Sequence, residues 1–112
     1  MLKPKIKSKR GPERIIQDAV IALFRTKEWY VKETHGNMYQ SGFPDLFCCH
    51  KRFGIRMVEI KNPLAYSFTG AQLECFPLFC ANGCGIWIMT AATEDQYLKV
   101  LKGPPNWWQF IK

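Results

Sequence analysis

The sequence predicts an α/β fold, a mixed sheet flanked by helices, and three observations predict it. From Leu46 to Lys61 an apolar run, Leu46-Phe47-Cys48-Cys49, meets a basic turn, His50-Lys51-Arg52-Phe53-Gly54, and then an alternating stretch, Ile55 to Lys61, as in two strands of a hairpin. Gly85-Ile86-Trp87-Ile88-Met89-Thr90 is apolar almost throughout, the pattern of a strand covered on both faces, which suggests a place at or near the sheet centre. Stretches with helical periodicity stand before, between and after these, so the element order is α-β-β-β-α-β-α and helices are at hand to cover the sheet.

A chain of 112 residues suits one domain, here 11–112 behind a basic arm at 1–10, and buries roughly two thirds of its unfolded surface. The arm carries Lys3, Lys5, Lys7, Lys9 and Arg10 with almost nothing apolar to pack, so it reads as flexible; it is either a solubilising terminus or a set of phosphate contacts. Gly11-Pro12 opens the first helix, with proline suited to the first helical position, and Ile15, Ile16, Ala19, Val20, Leu23 and Phe24 supply its apolar stripe. Glu13 and Gln17, four apart, share a side of that helix. Glu13 either compensates the helix dipole or reaches a site beyond the helix end.

Trp29 to Thr34 is rich in aromatic and β-branched residues and reads as the first strand. The polar loop 35–42 then leads to Pro44-Asp45, and its Tyr39, Gln40 and Ser41 are either plain connectors or contacts to a phosphate or base. After the hairpin, Asn62-Pro63 breaks the strand and Leu64 to Phe68 form a short link. Thr69 and Gln72 fit a capping box for the second helix, whose expected buried face is Leu73, Phe76, Phe79 and Cys80, and Pro77 should kink or split it. Thr93 and Gln96 repeat the T-x-x-Q pattern for a third helix that ends at Gly103-Pro104-Pro105. The aromatic tail, Asn106 to Ile111, could add an edge strand or, with both tryptophans exposed, cover a dimer contact.

Sixteen Lys and Arg against nine Asp and Glu give a net charge of +7, which suits a polyanionic partner, nucleic acid first. No signal peptide and no apolar run of ~18 residues is present, and five cysteines without a C-x-x-C pair fit a reducing cytoplasm and structural thiols. A zinc site would need Cys75, Cys80 and Cys84, or His35 and His50, brought together from separate segments.

Folding the hairpin about Arg52 brings Asp45 opposite Glu59, and strand alternation puts Lys61 on the same face. Two carboxylates and an ammonium at one end of an apolar hairpin are costly as decoration, although a surface ion pair would also account for them. Hard divalent cations such as Mg²⁺ take one or two carboxylates plus water and substrate phosphate, a role that Asp45 and Glu59 suit. An ion there could activate water against a phosphodiester, with Lys61 orienting the water or meeting developing charge.

Gly42-Phe43-Pro44-Asp45-Leu46, followed after a strand and turn by Val58-Glu59-Ile60-Lys61, resembles the PD-(D/E)XK nuclease signature. With Glu13 in the preceding helix, G-x-R at Gly54 to Arg56 and T-x-x-Q at Thr69 and Gln72, it resembles the VRR-NUC branch, the virus-type replication-repair nucleases, over Glu13 to Ala91. The resemblance implies a restriction-endonuclease-like αβββαβ core and an endodeoxyribonuclease dependent on Mg²⁺ or Mn²⁺. Asp45, Glu59 and the Ile60 carbonyl would ligate the metal, Lys61 would assist the attacking water and Glu13 would complete the acidic cluster. Gln72 matches the family's downstream glutamine, while helix capping explains it equally well. Pro77, inside the helix that should support Gln72, is a departure. Small stand-alone phage and bacterial domains of this type act as homodimers on branched DNA such as Holliday junctions. A nuclease acting on flaps, nicks or duplex, or a catalytically silent DNA-binding module of the same fold, are the alternatives.

Overall fold

The computed structural model describes residues 11–34 and 41–111, so the basic arm and most of the loop after the first strand lie outside the described residues. Helix α1 (Gly11–Thr26) is followed by strands β1 (Tyr30–Glu33), β2 (Leu46–His50) and β3 (Gly54–Ile60). Helix α2 (Gly70–Ala81), strand β4 (Ile86–Met89), helix α3 (Glu94–Lys102) and a 3-10 turn (Trp107–Phe110) complete the chain. The four strands form one sheet in the order β1-β2-β3-β4, antiparallel except for the parallel β3–β4 pair.

Strand alternation sorts the core into two layers. On one face Val31, Leu46, Cys48, Val58, Ile60 and Met89 meet α1 and α3 through Val20, Phe24, Tyr97 and Val100. On the other, Met57, Ile86 and Ile88 meet Phe76 of α2 and Trp107. The indole of Trp29 donates to Tyr97 Oη at 2.9 Å, which ties the start of β1 to α3 and satisfies the polar ends of two buried rings.

Several expectations are corrected. Strand β4 is buried on both faces but stands at the sheet edge, beyond β3, because burial on two faces is set by the helices above and below and says nothing of lateral neighbours. Its outer edge is closed by Asn106, whose Oδ1 accepts from Ile88 N at 2.7 Å and whose N donates to Ile86 O at 3.3 Å. The tail therefore covers an edge without adding a strand, and its tryptophans divide, Trp107 buried and Trp108 exposed.

The buried stripe of α1 is Gln17, Val20, Ile21 and Phe24, at i, i+3, i+4 and i+7, while Ile15 is 70% exposed and Ala19 is exposed too. Polar Gln17 takes a core position because its Nε2 donates to Glu33 Oε1 of β1 at 2.9 Å. Helix α2 neither splits nor stops at Pro77. Pro77 is exposed and Leu73, whose carbonyl loses its usual N–H donor there, is 46% exposed instead of buried, so water can serve that carbonyl. Thr93 caps α3, but the Gln96 side chain turns away to Thr90 and Ala91, accepting from both main-chain N–H groups at 2.7 and 3.1 Å.

Candidate active site

The β2–β3 register pairs Leu46 with Val58, and one step further sets Asp45 beside Glu59. Asp45 N donates to Glu59 Oε1 at 3.1 Å, and Ile60 N donates to Asp45 Oδ2 at 2.8 Å. The two carboxylates are thus exchanged across the strands, each held by the other strand's main chain. Thr34, at the end of β1, fixes Asp45 from the opposite side: its N donates to Asp45 O at 2.9 Å and its hydroxyl to Pro44 O at 2.5 Å.

Glu59 is 1% exposed, and burial at that depth requires partners. Its Oε2 lies 3.0 Å from Lys61 Nζ and accepts from Gln72 Nε2 at 2.9 Å. The Lys61 ammonium donates also to Ser67 O at 2.7 Å and to Gln72 Oε1 at 3.2 Å, and it sits 4.5 Å from the centre of the Phe68 ring. An ammonium has three N–H groups, so Glu59, Ser67 and Gln72 engage all of them.

Gln72 is both of the things its position allowed. In the capping box Thr69 N donates to Gln72 Oε1 at 3.1 Å and Gln72 N to Thr69 Oγ1 at 3.1 Å. The same amide reaches Lys61 with its oxygen and Glu59 with its nitrogen. Gly42 itself lies against this helix: its φ is +86°, and a Cβ there would stand 2.7 Å from Cys75 Sγ and 2.8 Å from Ala71 O.

Asp45, Glu59, Lys61 and Gln72 are therefore brought together on the α2 side of the sheet. Glu13 lies half-buried in the first turn of α1, on a helix that packs against the other side. Gln17 and Arg14 of that helix bind Glu33, with Arg14 Nη1 3.0 Å from its Oε1, and Asp18 and Glu33 raise the Arg14 pKa. Among the described residues no three His, Cys, Asp or Glu side chains gather to hold a metal, so the carboxylate set here is a pair, and the cysteines form no such cluster either. Thr34, Ser67 and Phe68 were not singled out from sequence as parts of the site. A signal existed, because a lysine placed on a buried strand face must find acceptors, and Ser67-Phe68 is the segment that returns past it.

This arrangement of sheet and helices is similar overall to a solved structure described as a VRR_NUC domain. It matches at a TM-score of 0.66 and 20% identity, over 81% of this chain and 96% of its own. The fold is that of a VRR-NUC domain. No protein-family model matches the chain, and no curated protein matches it. Within this fold, Asp45, Glu59 and Lys61 stand where β2 begins and β3 ends, with α2 closing over Lys61 through Gln72.

Hydrogen bonding leaves this pair suited to a hard cation. The donors are all oxygen, and a carboxylate oxygen accepts through two lone pairs, so an amide N–H and a cation can share one. Lys61 and Gln72 hold Oε2 of Glu59, and its Oε1 lies on the Asp45 side.

Proposed function

We propose that this chain is a metal-dependent endodeoxyribonuclease. The carrying observation is the exchanged Asp45–Glu59 carboxylate pair with buried Lys61 beside it, at the strand ends of a VRR-NUC fold. Asp45 and Glu59, with the Ile60 carbonyl, would hold one Mg²⁺ or Mn²⁺. The bound ion would supply Lewis acidity toward a phosphodiester oxygen and a water made nucleophilic near neutral pH.

The chain's own groups prepare the site. Thr34 and the Ile60 N–H fix Asp45, so its carboxylate is oriented before any ligand arrives. Lys61 pairs with the buried Glu59 carboxylate, and it would reach an incoming water or phosphate oxygen by releasing Gln72, the longer of its two neutral acceptor contacts. The fold and the +7 charge support DNA as the substrate.

The favoured version is a homodimer cutting branched DNA in the manner of a junction resolvase, because paired cuts on opposed strands require two sites related by a two-fold axis. Flaps, nicks or plain duplex are alternatives within the same chemistry. The silent binding module has one observation in its favour, the engagement of all three Lys61 N–H groups. A cleavage panel of four-way junction, flap, nicked and linear duplex with Mg²⁺ and Mn²⁺ decides among them. Cleavage lost in Asp45→Ala and Glu59→Gln supports the site, and cleavage unchanged in both refutes it.

A further inference from the structure

Among the described residues, the α2-side face of the sheet is only partly covered. Helix α2 and Trp107 pack over β3 and β4, and on this face β1 presents Tyr30 and Lys32 to solvent. The registers set the rows. Lys32 pairs with Phe47, which pairs with Met57; Tyr30 pairs with Cys49, which pairs with Ile55. One step the other way, Thr34 donates to Asp45 beside Glu59. Directly opposite residues share a face, so Tyr30 and Lys32 lie on the same face as the carboxylate pair, in a line that starts at it.

Along β1 that line advances by roughly 6.8 Å for every second residue. Its side chains are a cation, exposed Lys32, and then an aromatic ring, Tyr30, 64% exposed. Exposed Lys51 and Arg52 stand at the hairpin turn, at the far end of β2 from Asp45. The acid of β1, Glu33, points to the α1 side, where Arg14 and Gln17 hold it. A lysine spaced from an exposed aromatic ring, continuous with the site and turned away from the acid of its own strand, matches how single-stranded nucleic acid is bound. The backbone follows the cations and the bases stack on rings.

We propose that this face of β1, with Lys32 on a phosphate and the Tyr30 ring under a base, is the track for an unpaired DNA strand adjoining the cut. The proposal rests on the nuclease reading and narrows its substrate: DNA with unpaired nucleotides beside the scissile phosphate is favoured over continuous duplex, whose bases offer no open face to Tyr30.

The test is fluorescence anisotropy with labelled flap and blunt-duplex oligonucleotides, Ca²⁺ replacing Mg²⁺, for the parent chain, Lys32→Ala, Tyr30→Ala and Tyr30→Phe. Lys32→Ala should lower the salt slope of binding by about one unit on the flap. Tyr30→Ala should weaken flap binding on the order of tenfold, leave duplex binding within about twofold, and be rescued by Tyr30→Phe, which keeps the ring. Flap binding equal to the parent in Lys32→Ala and Tyr30→Ala overturns the track and leaves the nuclease reading standing, because cleavage by the parent and its loss in Asp45→Ala are scored separately. A parent that neither binds nor cuts DNA overturns both. A change of assembly mass in Tyr30→Ala with DNA binding unaltered gives the face to a second copy of this chain and also overturns the track.

Discussion

A glutamate 1% exposed beside a lysine 5% exposed makes each the other's condition for burial. Removing one partner of such a pair costs about 3–5 kcal/mol because the survivor is left charged and buried, whereas replacing both costs less. Lys61→Met should therefore destabilise the chain by about that much in urea unfolding, and Glu59→Gln combined with Lys61→Met should recover part of the loss. A single variant as stable as the parent would show that the pair opens to water. Cys48 offers a second check at this scale. Burial pushes its thiol from 9.0 up to about 12, so in the native chain it stays protonated where an unfolded thiol ionises. Between those values the unfolded state binds fewer protons, and stability contributed by this group falls as pH rises from about 9 to about 12. Iodoacetamide at pH 9 should accordingly spare Cys48 in the folded chain and label it in urea, as read by peptide mass spectrometry.

At the scale of the element, α2 serves the site through its first turn. Thr69→Ala removes one capping bond and should cost about 1 kcal/mol with the Glu59 contact kept. Gln72→Ala removes the reciprocal cap together with the bonds to Lys61 and Glu59, so it should lose more stability than Thr69→Ala and most of the cleavage activity. Gly42→Ala faces both a left-handed φ and contacts under 3 Å from Cys75 and Ala71, and a loss above ~1 kcal/mol is expected, with cleavage reduced because the loop carries Asp45. The capping box was legible because it is local, three residues apart. The second T-x-x-Q was legible only in part, since Gln96 had a stronger option at Thr90 and Ala91 that no spacing announces. The stripe of α1 was misjudged for a similar reason. Ile15 and Ala19 fit the helical period, but Glu33 on the α1-facing side of β1 drew Gln17 inward.

For the whole molecule, the hairpin register, the element order and the meeting of Asp45 with Glu59 could be read from sequence because alternation and turn position determine them. Lateral strand order could not, and β4 sits at the edge with burial that resembles a central strand. The charge of +7 predicts DNA binding that weakens steeply with salt. Deleting residues 1–10, which carry five of the sixteen cations, should flatten that slope in a salt titration of Kd.

The closing of β4 by Asn106 has a bearing on assembly. Each open strand edge invites a further strand, from this chain or from another, and Asn106 takes up hydrogen-bonding groups of Ile86 and Ile88 that such a strand would use. Among the described residues, growth of the sheet is thereby directed to β1, the edge that begins beside Asp45. Two copies joined through their β1 edges would form one continuous eight-stranded sheet with one carboxylate pair on each side of the seam, each between the second and third strands from it, whereas copies joined through helices would leave that edge to the substrate.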